Sequence, residues 1–367
     1  CFGDVFTYTV TVNPLPTVTV NSETVCAGQS ATIMATPGSG AGSDYNYTWT
    51  VPSGATAPGN VQSFSATEAG NYSVVITNKA TNCISASASG SLTVNVLPTA
   101  PNEANVTTPY TGTTHQLSVN AGTGMTIDWY AEATGGTPLL VGNKDYTPTA
   151  IHAGIYTYYA ESRITATGCV SSSRRAVVLT ITKVPLTVTA DNKSKIYDGS
   201  VFTAFTATIS GFVNSETSSV VTGSVAYSGG ATTAVNAGSY VIHPEVSGLS
   251  ATNYTFAAAA TDGTLEIGKG DQTITWSAPA NIVYGTLLSA TQLNATVAGT
   301  GSSATGALTY TPAIGAELAA GTHTLSVTAA ATDNYNAATA TVSITVDKAN
   351  QTITWSAPAN IVYGTLL

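Results

Sequence analysis

Hydrophobic and polar residues alternate along most of the chain with a period of two. The alternating residues are largely Val, Ile and Thr, which favour half-buried β-strands because successive side chains point to opposite faces of a sheet. No segment keeps the periodicity of an amphipathic helix over several turns. The pattern therefore predicts an all-β protein. Typical alternating runs are Tyr8–Val12, Leu92–Val96, Val178–Thr182 and Val342–Val346.

The chain repeats itself at two levels. Its last seventeen residues, 351–367, are identical to residues 272–288. A weaker motif, Ala-Gly-x-Tyr, recurs at intervals of 84, 84 and 83 residues, with His in place of Tyr in the last copy. Fixed intervals of this size indicate a tandem array rather than one globular domain. The copies begin at Ala69, Ala153, Ala237 and Ala320.

Short connections, three of them containing proline, follow the alternating runs and divide the chain. Residues 1–12 are predicted to be the last strands of a preceding Ig-like domain, and residues 348–367 the start of another repeat, so we expect a longer protein. Short connections favour an extended array, roughly 150 Å long for four domains. The domains are predicted at residues 13–97, 98–183, 184–268 and 269–347.

The Ala-Gly-x-Tyr motif predicts immunoglobulin-like β-sandwiches. In that fold a tyrosine near the start of strand F donates its hydroxyl to the upstream backbone at the E–F corner, and a core tryptophan lies on strand C. Trp49 and Trp129 take the tryptophan's place. In the fourth domain His323 replaces the tyrosine, so that corner must be built differently or not at all. The predicted corner tyrosines are Tyr72, Tyr156 and Tyr240.

Cysteines mark the predicted domains. Cys26 and Cys83 both lie in the first complete domain and form the one plausible pair within a domain. Their disulfide would close a loop of about 57 residues and stabilise the domain by roughly 4 kcal/mol. The second domain has Tyr110 where a partner for Cys169 would be expected. We therefore predict a Cys26–Cys83 disulfide and a free, partly buried thiol at Cys169, and we expect Cys1 to have lost its partner to truncation.

Several motifs resemble two families of bacterial repeats. Residues 13–97, with Cys26-Ala27-Gly28, and residues 98–183, with Gly168-Cys169, resemble the Ig-like repeats of large secreted surface proteins of Bacteroidota. Residues 184–268 and 269–347 resemble mostly-bacterial-Ig (MBG) repeats. The resemblance implies a multidomain adhesin, surface stalk or spacer outside the cell. The MBG-like motifs are Lys195–Gly199, Ala237–Gly238 and Asn253–Tyr254, then Ile282–Gly285, Ala320–Gly321 and Asn334–Tyr335.

Charge and motif content exclude several functions. Charged residues make up 8% of the chain, its net charge is −9, and its ten basic residues form no cluster. Nucleic acids and anionic membranes are therefore poor partners, and no apolar run is long enough for membrane insertion. The four histidines are isolated, and no metal-binding or hydrolase motif occurs. We predict no enzymatic activity, catalytic residue or cofactor.

Calcium at the domain junctions stays open as an alternative. The carboxylates of Glu103, Asp191 and Asp271 fall near connections, and carboxylate oxygens are the ligands that Ca²⁺ prefers. No spaced Asp-x-Asp pattern supports such a site.

The aromatic residues of the second domain are the best candidates for binding. Trp129, Tyr156 and Tyr158 share a period of two that would place them in one core. Tyr130 and Tyr159 would then point outward, where aromatic rings can stack on a sugar. Our main hypothesis is a non-enzymatic extracellular spacer whose partners are other domains of the same long chain. Two alternatives stay open, a subunit of a self-assembling fibre joined through edge strands, and a carbohydrate-binding module that uses Tyr130 and Tyr159.

Overall fold

A computed structural model describes residues 3–102, 105–256, 260–364 and 366. The chain forms two compact units, Cys1–Thr182 and Lys183–Leu367. Regular structure in the described residues is β-strand, apart from short 3-10 turns at Gly42–Asp44, Ser218–Val220 and Gly230–Thr232. The prediction of an all-β fold is confirmed. The described part of the chain has no helix long and apolar enough to cross a membrane.

The first sandwich of the first unit packs a three-stranded sheet, β1-β3-β5, against a four-stranded sheet, β2-β7-β6-β4. Alternating side chains from both sheets, including Ile33, Trp49 and Tyr72, form its core. Trp49 lies edge-on to Phe64, with ring centroids 5.0 Å apart. The strands are β1 (Val18–Val20), β2 (Glu23–Cys26), β3 (Ala31–Pro37), β4 (Tyr45–Thr50), β5 (Ser63–Ala66), β6 (Gly70–Asn78) and β7 (Ala88–Asn95).

The second sandwich has the sheet β10-β12-β13-β8 and a small sheet of β9 and β11. Its core contains a row of aromatic rings. Trp129 is fully buried and stacks on Tyr146 at 5.5 Å, and Tyr146 lies 5.3 Å from Tyr158. The strands are β8 (Val106–Pro109), β9 (Leu117–Ser118), β10 (Met125–Tyr130), β11 (Asp145–Tyr146), β12 (Gly154–Ile164) and β13 (Arg175–Thr182).

The third sandwich, in the second unit, contains the sheets β16-β14-β19 and β15-β20-β18-β17. The fourth contains β21-β23 and β22-β26-β25-β24. The third has strands β14 (Val184–Ala190), β15 (Lys193–Ile196), β16 (Ala207–Ser210), β17 (Ala226–Ser228), β18 (Gly238–Glu245), β19 (Tyr254–Phe256) and β20 (Gly263–Gly268). The fourth has strands β21 (Gln272–Thr275), β22 (Ile282–Val283), β23 (Thr296–Gly299), β24 (Leu308–Thr311), β25 (Gly321–Ala329) and β26 (Ala338–Asp347).

Each sandwich contains a short strand that runs parallel to its last strand. These parallel pairs are β2 with β7, β8 with β13, β15 with β20, and β22 with β26. The residue after each short strand donates its amide to a carbonyl of the last strand, so the four residues occupy equivalent positions at one end of their sandwiches. The bonds are Ala27 to Asn95 (2.8 Å), Tyr110 to Thr182 (2.9 Å), Tyr197 to Gly268 (2.8 Å) and Tyr284 to Asp347 (2.8 Å).

Sequence alone does not decide the strands near the two ends. Residues 3–12, predicted to be strands, form none, and Phe6 and Tyr8 are 79% and 87% exposed. Gln272–Thr275 is a strand because it pairs with β23. The identical residues 351–354 are exposed and form no strand. A single strand leaves its backbone groups without partners, so alternation becomes structure only beside a neighbouring strand.

Candidate functional site

The E–F corners are built by one repeated hydrogen bond. Each predicted corner tyrosine donates its hydroxyl to the carbonyl four residues upstream. In the fourth sandwich the same position is filled by His323, whose Nε2 lies 2.6 Å from Ala319 O. The expectation of a different corner there is therefore wrong in geometry, because an imidazole N–H reaches the same acceptor. The tyrosine bonds are Tyr72 to Glu68 (2.7 Å), Tyr156 to His152 (3.1 Å) and Tyr240 to Asn236 (3.0 Å).

Removing one corner hydroxyl should have a measurable cost. We expect Tyr72→Phe to lower the free energy of unfolding of the first sandwich by about 1 kcal/mol, because Glu68 O loses its donor while the ring stays buried. Tyr8→Phe is the matched control, since Tyr8 is 87% exposed and should change nothing. Urea unfolding followed by tryptophan fluorescence measures both. Equal stability of the two variants would contradict the role of the hydroxyl.

Burial raises the pKa of several sandwich tyrosines. At Tyr72 burial is the larger cause and the Glu68 charge the smaller; at Tyr146 burial acts alone. For Tyr158 the causes are burial and then the neighbouring Tyr146 and Tyr156. A raised folded-state pKa means that the folded chain keeps these protons after the unfolded chain has lost them. Their stabilisation is complete below the unfolded pKa, about 10, and is lost as the pH rises through the folded pKa.

The melting temperature is therefore expected to fall steeply above a pH of about 10, as these phenols ionise. Circular dichroism melts across that range, with tyrosinate absorbance recorded in parallel, check the prediction. In urea the same phenols should ionise at lower pH than in the folded chain. A melting temperature that stays level while tyrosinate forms would contradict it.

The predicted Cys26–Cys83 disulfide is wrong. Cys26 is bonded to Cys169, with Cα atoms 5.7 Å apart, and Cys83 is a free thiol. Cys26 pairs with Asn95 at the end of β7, whereas Cys83 precedes the start of that strand. The eight residues of β7 alone span about 23 Å, and a disulfide needs Cα atoms within about 7 Å. Cys169, predicted to be free, is 1% exposed. Cys1 lies outside the described residues.

The disulfide joins two successive sandwiches of the first unit. Cys169 lies in the loop between the last two strands of the second sandwich, which we call the final hairpin loop. In this loop Ile164 N donates to Cys169 O at 2.9 Å, and in the first sandwich Asn78 N donates to Cys83 O at 2.9 Å. The two loops therefore have matching conformations. The loop that contains Cys169 reaches the end of β2 in the preceding sandwich, where Cys26 lies.

In the second unit, the final hairpin loop of the fourth sandwich contacts the equivalent end of the third. Tyr335 lies edge-on to Tyr197, with ring centroids 5.4 Å apart. Both rings are buried, and Tyr335 joins the third sandwich's core beside Ile242 and Leu265. This position of Tyr197 matches that of Ala27, the residue after Cys26. The two units therefore use the same two surfaces, with a disulfide in one and an aromatic pair in the other.

Asn334 supplies the polar part of this contact. Its Oδ1 accepts from Ala237 N at 2.7 Å. Its Nδ2 donates to Asn236 Oδ1 at 3.0 Å and to Ser303 Oγ at 2.8 Å, and Ser303 Oγ lies 2.5 Å from the hydroxyl of Tyr197. Asn334 is only 7% exposed, and a buried amide without partners would cost about 1–3 kcal/mol. The contact therefore specifies one relative placement of the third and fourth sandwiches.

A glycine pair allows the backbones to meet at this contact. Gly199 has φ +77°, and a Cβ on it would lie 2.8 Å from the Cα of Gly301, which itself has φ +97°. No other residue fits this spacing and this backbone conformation without strain. The structure thus gives a physical reason for the glycine in the Lys195–Gly199 motif. In the sequence alone, that motif indicates only a resemblance to MBG repeats.

Tyr130 lies on the face of β10 opposite the buried Trp129, as alternation predicts, but it is covered there, so the prediction of an exposed ring that could stack on a sugar is wrong. Its ring is 8% exposed, and the guanidinium carbon of Arg174 lies 3.2 Å from the ring centroid. Its hydroxyl donates to Glu161 Oε2 at 3.1 Å, and Arg174 Nε lies 3.3 Å from Glu161 Oε1. The ring face that a sugar would need is occupied by a cation–π contact. Tyr159 lies directly opposite Tyr130 and is half-buried, and its contact with a glycan stays a prediction.

The carboxylates proposed for calcium have protein partners. Asp191 accepts from the hydroxyls of Thr206 and Thr208, and Asp271 accepts from Asn336 Nδ2 at 2.9 Å. Glu103 lies outside the described residues. Across the described ranges, no group of three His, Cys, Asp or Glu residues could hold a metal ion.

Two family models match parts of the chain. Residues 98–182 match the model of an Ig-like domain, CHU_C associated, and residues 186–266 match that of the MBG domain (YGX type). The chain carries Ig-like and MBG repeats. The MBG match includes Tyr197 and Gly199, which contact the fourth sandwich. For residues 13–97 and 269–347, the resemblance to these families stays a prediction from the sequence motifs.

Solved structures of tandem domains are also similar. The N-terminal eight Ig domains of Down Syndrome Cell Adhesion Molecule share 13% identity, with 92% of this chain and 57% of that chain covered and a TM-score of 0.24. An I-band fragment of titin shares 9% identity, with 92% of this chain and 100% of that chain covered and a TM-score of 0.27. The fibronectin(III)-like modules of Clostridium thermocellum CbhA share 16% identity, with 45% of this chain and 94% of that chain covered and a TM-score of 0.27. The chain thus spans 57% of the length of that eight-domain structure. No curated protein sequence matches it.

Proposed function

We propose that the chain is a non-enzymatic spacer of a repetitive extracellular surface protein, which holds other domains of that protein at fixed distances. The observation that carries the proposal is that the two successive sandwiches of each unit are held together by a specific contact. In the first unit Cys26–Cys169 is covalent, and in the second Tyr335 is buried against Tyr197. A disulfide and a buried, hydrogen-bonded contact restrict hinge motion far more than a flexible linker does.

Chemistry supports a place outside the cell. Structural disulfides persist in oxidising compartments and are rare in the cytosol. The Ig-like and MBG repeats agree with a repetitive surface protein. Tyr130, a binding candidate from the sequence, has structural partners, since it contacts Glu161 and Arg174, which also bind each other. This supports a structural role rather than a chemical one.

Electron microscopy of the purified 367-residue chain tests the proposal. At micromolar concentration we expect separate thin rods, roughly 150 Å long for four domains in a row. A compact particle well under about 100 Å in length would contradict the spacer role. Long regular fibres would instead favour the assembly alternative.

A further inference from the structure

The fourth sandwich ends in an exposed apolar surface. It consists of Val283, Tyr284, Leu287 and Ile314, which are 49–68% exposed, and we call it the Tyr284 surface. Tyr284 follows β22 as Tyr197 follows β15, and both make the same 2.8 Å backbone bond to the last strand. Tyr197 is nevertheless 2% exposed and Tyr284 is 51% exposed. The difference arises because Tyr197 is covered by Tyr335 of the next sandwich.

The glycine next to Tyr284 shows the same contrast. Gly199 and Gly285 both have positive φ, +77° and +92°. A Cβ on Gly199 would meet the backbone of Gly301, whereas a Cβ on Gly285 would have nothing within 4 Å. Gly199 is two residues after Tyr197 and Gly285 is one residue after Tyr284, so the two turns differ by one residue, but the fourth sandwich also has a positive-φ glycine beside its tyrosine with open space next to it.

The corner that would receive an asparagine is also present. In the third sandwich Tyr240 holds the carbonyl of Asn236, and the amide of the next residue, Ala237, donates to the side chain of Asn334. In the fourth sandwich His323 holds the carbonyl of Ala319, and Ala320 follows it. The backbone amide of Ala237 therefore has a counterpart in that of Ala320. The side-chain amide of Asn236 has none, because Ala319 occupies its position.

The sequence beyond the fourth sandwich repeats the link and the first strand with which the fourth sandwich itself begins. The link residue Gly270 donates to Asn334 O and accepts from Asn336 N, both at 2.9 Å. Lys269-Gly270-Asp271 precedes residues 272–288, and Lys348-Ala349-Asn350 precedes the identical residues 351–367. A link of the same length and the sequence of the same first strand therefore follow the Tyr284 surface.

We propose that the Tyr284 surface is the docking site of a following MBG-type repeat in the same chain, whose Asn-Tyr pair packs there as Asn334 and Tyr335 pack on the third sandwich. We infer a following repeat as the occupant because the fourth sandwich already occupies the equivalent surface of the third sandwich, at Tyr197. This inference deepens the proposed spacer role and rests on it, because it extends the fixed spacing to further repeats.

The test extends the 367-residue chain after Leu367 with a second copy of residues 289–347, which completes another repeat. 3-Fluorotyrosine is placed at position 284 alone, and its ¹⁹F signal reports contact with solvent through the shift between H₂O and D₂O. In the 367-residue chain the label should behave as a half-exposed ring. In the extended chain its exposure should fall from 51% toward the 2% of Tyr197.

Two controls make the result specific. Fluorotyrosine at Tyr197 should be buried in both chains. Alanine at the appended counterparts of Asn334 and Tyr335 should return the label at position 284 to solvent. Folding of the added repeat is read from Trp355, which is 83% exposed and should become as buried as its counterpart Trp276.

A label at position 284 that stays exposed in the extended chain overturns the proposal, whether or not Trp355 becomes buried. Burial that survives the double alanine replacement overturns it as well. Microscopy of the 367-residue chain is independent of this result, so rods together with an exposed Tyr284 would reject the docking site and leave the spacer role standing.

Discussion

Cys169→Ser is expected to lower the free energy of unfolding of the first unit by about 5 kcal/mol, since the lost bond closes a very long loop. Its ends are separated by 143 residues. Urea unfolding under non-reducing conditions measures the effect. Cys83→Ser is the matched control, because Cys83 is a free thiol in a loop of the same conformation and its loss should cost little. Equal destabilisation by the two variants would contradict the pairing.

Peptide mapping separates the two pairings directly. Without reduction, trypsin should yield Ile164–Arg174 linked to the peptide that ends at Lys79. The rejected pairing would instead link that peptide to Ala80–Lys144. Chymotryptic cleavage after Phe6 or Tyr8 removes Cys1 from the peptide and assigns the bond to Cys26.

Tyr335→Ala is expected to lower the free energy of unfolding of the second unit by about 3–5 kcal/mol, the usual cost of emptying a buried aromatic site. Tyr335 is fully buried, within the third sandwich's core. Its loss should also separate the unfolding of the third and fourth sandwiches. Differential scanning calorimetry should show one transition for the unchanged unit and two for the variant.

Two controls define this prediction. Tyr335→Phe removes only the bond from the hydroxyl to Thr300 O, 2.8 Å long, and should cost about 1 kcal/mol. Tyr284→Ala removes a half-exposed tyrosine at the equivalent end of the next sandwich, and should change stability by less than about 0.5 kcal/mol in this chain. If Tyr284→Ala is as costly as Tyr335→Ala, the Tyr197–Tyr335 contact does not couple the sandwiches.

The features that sequence predicts well are local. Alternation identifies strands inside the sandwiches, because each side chain's face depends on its immediate neighbours. The corner at Tyr72 depends on a carbonyl only four residues upstream, so a short motif contains it. Trp129 is recognisable as a core residue because its strand alternates toward the sandwich interior.

The missed features depend on distant residues. The pairing of Cys26 is set by which loop of the next sandwich reaches the end of β2, and no spacing within one domain contains that information. Alternation places Tyr130 on the outer face of its strand, but it cannot show that Arg174, from another part of the chain, covers the ring there. Tyr335 is recognisable in the sequence as part of a family motif, but its burial in the preceding sandwich depends on the tertiary structure. The signal that could have indicated it is the joint occurrence of Tyr-x-Gly in one repeat and Asn-Tyr in the next.

The disulfide also decides how the chain would respond to tension. Strands β3 to β12 lie between Cys26 and Cys169, so a pull on the two ends is transmitted through the sulfur–sulfur bond and bypasses them. The 143-residue separation corresponds to about 500 Å of extended chain that stays inaccessible while the bond is intact. The third and fourth sandwiches have no such bypass and would unravel first under load. The redox state of the surroundings therefore sets the maximum length to which this chain can be stretched.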